Sequence, residues 1–354
     1  MMARAALPLA LTLAACGTIG SRGGGEDELP NNRTGPFREL TADETGGSRC
    51  VAFDGAGSFD EPSAVRLADG RVAVYGTRTR MGRRTVARTV LAGLARQVDE
   101  PADVLTATLP WQAMAVSSPG VAAAPGGGFV MAYATGSGAL GLARSADGAA
   151  WQTLPTPALE PSADAGEEAA LRAPSVVALA DGGLVLAYAS GSAIWLARAA
   201  AGGAFVRVDA DPATPRRDPL LGASGPASAM GDAGVGFESG AVDDPSLYVE
   251  TTAVGRPIWR LYYTARSVPQ AMDGGVRPSV AVTMAASFDG VRFARFGAPV
   301  VTSRTDPTLA APSALAVDAR RTVLYLSGGC DLAGRARGVR AAIAPGSERV
   351  AAGM

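Results

Sequence analysis

Five times along the chain a proline opens a stretch of alternating and continuous apolar positions that turns back on itself. The stretches are FDEPSAVRLADGRVAVYG from Phe59, SSPGVAAAPGGGFVMAYATG from Ser117, RAPSVVALADGGLVLAYASG from Arg172, DDPSLYVETTAVGRPIWRLYYTA from Asp243 and AAPSALAVDARRTVLYLSGG from Ala310. Pro62, Pro119, Pro174, Pro245 and Pro312 are separated by 57, 55, 71 and 67 residues. Each unit reads as a strand, a turn such as Asp69-Gly70, Gly126-Gly127 or Asp181-Gly182, and a second apolar strand ending in a small residue. Several units continue into a third strand and a further turn. Ser145 to Trp151 and Ser287 to Phe293 share the form S-x-D-G-x-x-aromatic, and Arg198 to Phe205 keeps the spacing without the serine and aspartate.

A strand followed by two hairpins, repeated five times, predicts an all-β fold: a five-bladed β-propeller with four-stranded blades, over residues 47–354. Gly 45 and Pro 24 fit many short strands joined by turns, and helix signals are scarce after the first 45 residues. The Asp-Gly turns and their aromatics are expected to be structural, the turn fixing the hairpin and the ring packing between blades.

The first 16 residues, MMARAALPLALTLAAC, place Arg4 before a short apolar run and Cys16 at its end. The run is too short to span a bilayer and reads as a secretory signal. Leu13-Ala14-Ala15-Cys16 followed by Gly17 resembles the lipobox of bacterial lipoproteins. That resemblance implies a lipidated Cys16, a membrane anchored by the lipid, and, because Gly rather than Asp follows, an outer-membrane location in the cell envelope. Residues 17–46 are polar and Gly-rich and are expected to be a flexible tether. Cys50 and Cys330 remain at the two ends of the repeat region, in a compartment that permits a disulfide between them.

Charge narrows the partners. With 32 basic and 33 acidic residues the formal charge is −1, so no global field favours nucleic acid, and the chain is expected to be a monomer. All the basic residues are Arg and there is no His, which excludes a Ser-His-Asp triad, a Cys-His pair and a His-ligated zinc. Acid or base chemistry is left to Asp, Glu or Tyr. No cofactor and no metal is expected.

The repeat region resembles the five-bladed propellers of glycoside hydrolase families 43 and 32. The resemblance rests on the unit count, the D-P-S strand start at Asp244, the L-Y-Y-T ending at Leu261 to Thr264, and the S-x-D-G-x-x-W/F turns. It implies an axial pocket lined by residues just before the prolines, which proline steers to an extended conformation. Those residues are Asp60 and Glu61, Ser117 and Ser118, Arg172 and Ala173, Asp243 and Asp244, and Ala310 and Ala311. Family 43 enzymes take an aspartate base, a tuning aspartate and a glutamate acid from the first three blades. Here the first has a match in Asp60 or Glu61, and the second and third have none in register. Under this resemblance Cys50 and Cys330 fall in the first and last blades.

The expected ligand site is therefore Asp60, Glu61, Arg172, Asp243 and Asp244, holding a glycan or another small polar ligand. Two rivals stand beside it. One is a glycosidase pairing Asp60 or Glu61 with Asp243 or Asp244, since inversion needs carboxyls roughly 6.5 to 9.5 Å apart; the other is an envelope scaffold that contacts a protein. Glu167, Glu168 and Glu238 precede the third and fourth units and are candidates to overhang the pocket. If the axial carboxylates form a purely structural network, removing one charge should lower stability. The Arg-rich segments Arg78 to Arg88 and Arg335 to Arg340 would be neighbours on a closed ring, as solvated hairpins or as one basic patch.

Overall fold

The computed structural model describes residues 35–344 except 164–165, 168, 215, 224–235, 252–254, 269, 273–274, 278, 302–308, 319–321 and 331–336. Cys16, its lipobox, Glu168 and Arg335 lie outside the described residues. The described chain is a five-bladed β-propeller of antiparallel four-stranded blades. Blade 3 shows how sequence makes a blade. Its strands are Arg172–Ala178, Leu184–Ser190, Ala193–Ala199 and Val206–Arg207, counted from the axis outwards. The second strand is buried along its whole length. A strand covered by neighbouring blades on both faces needs an unbroken apolar run, and LVLAYAS supplies it.

Blade 1 runs Ser58–Arg66, Val72–Arg80, Arg83–Ala92 and Arg96–Gln97, with Ala102–Leu105 also paired to the third strand. Blade 2 runs Val116–Ala123, Phe129–Thr135, Leu140–Ser145 and Gln152–Thr153. Blade 4 runs Ala241–Thr251, Pro257–Arg266, Val280–Ser287 and Ala294–Arg295, with a hairpin of Gln270–Met272 and Gly275–Arg277 inserted before its third strand. Blade 5 runs Ala310–Ala316, Thr322–Gly329 and Arg337–Ile343.

The outer edge of blade 5 comes from the other end of the chain. Arg38–Glu39 pairs with the third strand at Ile343 and Ala342, and Ala52–Phe53 pairs with the same strand at Val339 and Gly338. Phe37 to Leu40 are thus paired with the ring, although the sequence predicts a flexible tether over residues 17–46. Phe37 and Leu40, 1% and 4% exposed, give the reason: they are apolar anchors inside a polar segment. The Arg340 guanidinium binds the Glu39 carboxylate in the closing pair. Cys50 and Cys330 form a disulfide with Cα atoms 5.1 Å apart, spanning 280 residues. Cys50 sits on the segment that still borders blade 5, one turn before blade 1, so the bond fastens the closing edge rather than joining blade 1 to blade 5.

The residues before the prolines are not extended. Glu61, Ser118, Ala173, Asp244 and Ala311 have φ of 55°, 47°, 45°, 49° and 49°, the left-handed region. In every blade the inner strand slips register at that point, between Asp60 and Ser63 in blade 1 and at the matching positions of the others. Proline has no N–H to give and suits an edge strand at a bulge, and the inner strand is the edge that faces the axis. A left-handed residue with a Cβ costs roughly 1–2 kcal/mol, so each bulge must be held by its surroundings.

Serines do part of the holding. Ser63 Oγ accepts the Val121 N–H of blade 2 at 2.8 Å, Ser175 Oγ that of Leu247 in blade 4 at 2.9 Å, Ser246 Oγ that of Ala314 in blade 5 at 2.9 Å, and Ser313 Oγ that of Ala64 in blade 1 at 2.8 Å. The Pro-Ser repeat is therefore an inter-blade bond: the hydroxyl replaces the acceptor that a further strand would have supplied. Blade 2 has Gly120 in place of the serine, and a Cβ there would stand 2.2 Å from the Pro174 carbonyl oxygen of blade 3. The two inner strands approach too closely for any side chain.

Ser246→Ala should lower stability by about 1 kcal/mol, the net worth of one buried hydrogen bond, whereas Gly120→Ala should cost more because backbone must move. Chemical denaturation of both variants checks the order; a Gly120→Ala variant as stable as Ser246→Ala would refute the close approach.

Candidate functional site

The five bulges surround the axis. Glu61, Ser118, Ala173, Asp244 and Ala311, each with its following proline, line a small axial cavity of about 30 Å³. Only blades 1 and 4 bring carboxyls to it. Each carboxyl is held from its own blade by a threonine and from the rim by an arginine. Thr77 Oγ1 donates to Glu61, and Arg84 Nη2 lies 3.1 Å from the same carboxylate. Thr264 donates to Asp244, and Arg266 Nη2 stands 3.9 Å away. The same hydroxyls accept backbone N–H groups from the next blade: Ser118 N–H donates to Thr77 at 2.7 Å and Ala311 N–H to Thr264 at 2.9 Å. Accepting there leaves each hydroxyl proton for its carboxyl.

The remaining expected site residues sit one position earlier on their strands and are engaged between blades. Arg172 donates through Nε at 3.2 Å and Nη2 at 2.9 Å to one oxygen of Asp243, whose other oxygen accepts the Asp244 N–H at 2.9 Å. Asp60 accepts from Arg337 Nε at 3.1 Å. The cavity thus gathers Glu61 and Asp244, while Asp60, Arg172 and Asp243 form ion pairs beside it. Thr77, Thr264 and Arg266 are not among the expected site residues, and Arg84 and Arg337 are expected only as members of the Arg-rich segments. The hydroxyl near the end of the second strand, as in LYYT and LYLS, was the available signal.

Burial and like charge act on the two aspartates. The Asp244 carboxyl is pushed up to about 7, first by burial and then by the charges of Asp243 and Glu61, with Arg266 and Thr264 opposing. Burial also raises Asp60, against the pull of Arg337. Asp244 therefore holds its proton more tightly than an exposed aspartate does.

Glu167 and Glu238 do not overhang the pocket. Both are buried, each against the blade that it precedes. Glu167 accepts from Tyr188 Oη at 2.5 Å and from Arg207 Nε at 2.7 Å, and Glu238 accepts from Tyr263 Oη at 2.6 Å and from Arg295. In blade 2 the same place holds Gln112, whose amide donates to Tyr133 Oη at 2.9 Å. Thr153 occupies the fourth-strand position that Arg207 and Arg295 hold. Charge is lost from both partners together, as burial demands.

The Arg-rich hairpin of blade 1 is likewise paired. Arg80 binds Asp54 at 2.8 Å, and Arg78 reaches Asp54 and Asp103 at 3.6 and 3.4 Å. In the Asp-Gly turns, Asp147 Oδ1 accepts the Ala149 and Ala150 N–H groups and Asp289 Oδ1 those of Val291 and Arg292. The Gly148 carbonyl accepts the Tyr75 hydroxyl of blade 1 at 2.6 Å, and the Gly290 carbonyl accepts Arg198 of blade 3 at 3.1 Å. These turns join neighbouring blades. A larger cleft of about 940 Å³ lies at the outer rim, between residues 43–53 and 92–100, away from the axial carboxyls.

The raised proton affinity of Asp244 reverses the expected effect of removing it. Between pH 3.8, its unshifted value, and about 7, the folded state holds a proton that the unfolded state has released. Stability from this group is whole below pH 3.8 and is lost as pH rises to about 7. Asp244→Asn should flatten that slope and raise the melting temperature at pH 7.5 relative to wild type, with little difference at pH 4. Melting curves from pH 4 to 8 test it; a variant less stable at pH 7.5 would show that Asp244 is a needed counter-charge.

No family profile matches the sequence, and no curated protein matches it. Solved structures do. A glycosyl hydrolase from Bacteroides ovatus aligns over 88% of this chain and 92% of its own, at 14% identity and a TM-score of 0.57. A structure from work on the GH130 family of mannoside phosphorylases, which contains glycoside hydrolases that target β-1,2 mannosidic linkages in Candida mannan, aligns over 88% and 95%, at 15% identity and a TM-score of 0.60. The α-L-arabinofuranosidase of Podospora anserina, solved with cellotriose, aligns over 83% and 94%, at 11% identity and a TM-score of 0.54. The likeness to these structures is one of fold, the five-bladed β-propeller.

Proposed function

We propose that the chain holds a carbohydrate, or another small polyhydroxylated molecule, at the axial cavity, with Glu61 and Asp244 as its central contacts. The observation that carries this reading is the pair of axial carboxyls, each fixed by a hydroxyl and an arginine, on a floor otherwise built from Ser118, Ala173, Ala311 and prolines. Fixed carboxyls accept hydrogen bonds from sugar hydroxyls, and the apolar proline rings offer flat surface beside them. Asp60, Arg172 and Asp243 form the surrounding ion pairs that keep the floor rigid. The solved neighbours named above, described as acting on glycans, support the choice of ligand class.

A second reading, hydrolysis, is favoured by one observation: two carboxyls, Glu61 and Asp244, line one cavity, where burial and the charges of Asp243 and Glu61 raise the proton affinity of Asp244. A carboxylic acid of that kind can protonate a leaving oxygen while a second carboxylate activates water. Mannan, xylan and arabinan, incubated with the protein and assayed for reducing ends, separate the two. On the binding reading, calorimetry detects one of their oligosaccharides, Glu61→Gln weakens it about tenfold, and no reducing ends appear. Release of reducing ends that falls at least 100-fold in Asp244→Asn would install the hydrolytic reading instead.

The reading places this site in the cell envelope on a lipidated Cys16. The Cys50–Cys330 disulfide suits an oxidising compartment. Cells fed a palmitate analogue should label the wild-type chain and not Cys16→Ser; equal labelling would remove the anchor.

A further inference from the structure

One register position divides the blades. Opposite the strand residue that precedes each bulge stand Thr77 in blade 1, Thr264 in blade 4 and Ser327 in blade 5, but Ala134 in blade 2 and Ala189 in blade 3. Each of the three hydroxyls accepts the N–H of the next blade's left-handed residue, Ser327 taking that of Glu61 at 2.7 Å. In blades 1 and 4 the hydroxyl proton is then given to that blade's own axial carboxyl. Blade 5 breaks the rule. Its axial residue is Ala311, so the place occupied by a carboxyl in blades 1 and 4 holds only a methyl group.

Ser327 is 3% exposed, and among the described residues its hydroxyl proton meets no acceptor. By the equivalence of the three strands, that proton is aimed at the gap beside Ala311. A buried donor left unmatched is destabilising, so the gap is a place where an acceptor belongs. Blades 4, 5 and 1 are consecutive around the ring, which puts Asp244 on one side of the gap and Glu61 on the other.

We propose that the notch at Ala311 seats one hydroxyl group of a neutral carbohydrate, with Ser327 donating to its oxygen and Glu61 or Asp244 accepting its proton; this rests on the axial-binding reading above. The chemistry disfavours an ion. An anion would lie between two carboxyls, and a cation would face the Ser327 proton. A hydroxyl accepts one bond and donates another, matching both walls. The cavity of about 30 Å³ admits a hydroxyl, not a sugar ring, so the rest of the ligand lies towards solvent.

The test fills the notch without adding charge. Asparagine tolerates the left-handed backbone of position 311, and its side-chain carbonyl would take the Ser327 proton as a ligand oxygen would. In a crystal structure of Ala311→Asn the amide oxygen should lie roughly 2.8 Å from Ser327 Oγ. Calorimetry with mannobiose, xylobiose and arabinobiose on the full chain should give roughly tenfold or greater loss of affinity for Ala311→Asn. An asparagine turned away from Ser327 overturns the notch. So does unchanged affinity in Ala311→Asn where Glu61→Gln weakens binding, an outcome that leaves the axial reading standing. If wild type binds none of the three sugars, the axial reading falls and the notch with it.

Discussion

Every blade of this ring ends, at the axis, in a strand with no strand beyond it. An uncovered edge of backbone donors in a crowded interior must find acceptors from somewhere. Here the chain meets that need with short hydroxyl side chains handed from one blade to the next, Ser63 to blade 2, Ser175 to blade 4, Ser246 to blade 5 and Ser313 to blade 1. Once those bonds are in place the inner strands are tied at fixed spacing, and the bulges before the prolines can hold their left-handed residues. The axial cavity is a product of this edge repair: the residues that line it are the ones the bulges turn inwards.

The same requirement explains the asymmetry of the floor. Where a blade supplies a second hydroxyl, its donor can fix a carboxyl at the axis, as Thr77 fixes Glu61. Where it supplies alanine, as at Ala134 and Ala189, no such arrangement forms, and the following left-handed residues are held otherwise, Asp244 by its own neighbour Asp243. A repeat that is regular in its backbone thereby becomes irregular in its chemistry. The buried pairs further out follow a parallel logic, with Glu167 and Arg207 charged together and Gln112 and Thr153 neutral together.

The five units, their hairpins and the inner position of the prolines were legible because periodic apolar runs and Asp-Gly turns are local signals. The pre-proline conformation was not, since the local preference of proline for an extended neighbour is overridden by bonds from another blade, and that override is invisible in one dimension. Glu167 and Glu238 were misplaced for a related reason: nothing near them in sequence announces Tyr188, Arg207, Tyr263 or Arg295 as partners. In each of the dipeptides Asp60-Glu61 and Asp243-Asp244, only tertiary register separates the member that lines the cavity from the member that pairs with arginine. The closing strand was missed because two residues, Arg38 and Glu39, are too few to leave a pattern.

The position of the disulfide sets how the ring answers a pull. A force on the chain ahead of residue 35 first loads the short pairing of Arg38 and Glu39 with blade 5, which can be peeled bond by bond. Peeling stops at Cys50, because there the load passes through sulfur to Cys330, at the end of the second strand of blade 5. Beyond that point the strain is borne by a strand held on both sides, between Ala310–Ala316 and Arg337–Ile343, and by the blade as a whole. Past the short N-terminal pairing, a pull on the chain is therefore carried through the disulfide into blade 5 itself instead of unzipping its outer edge any further.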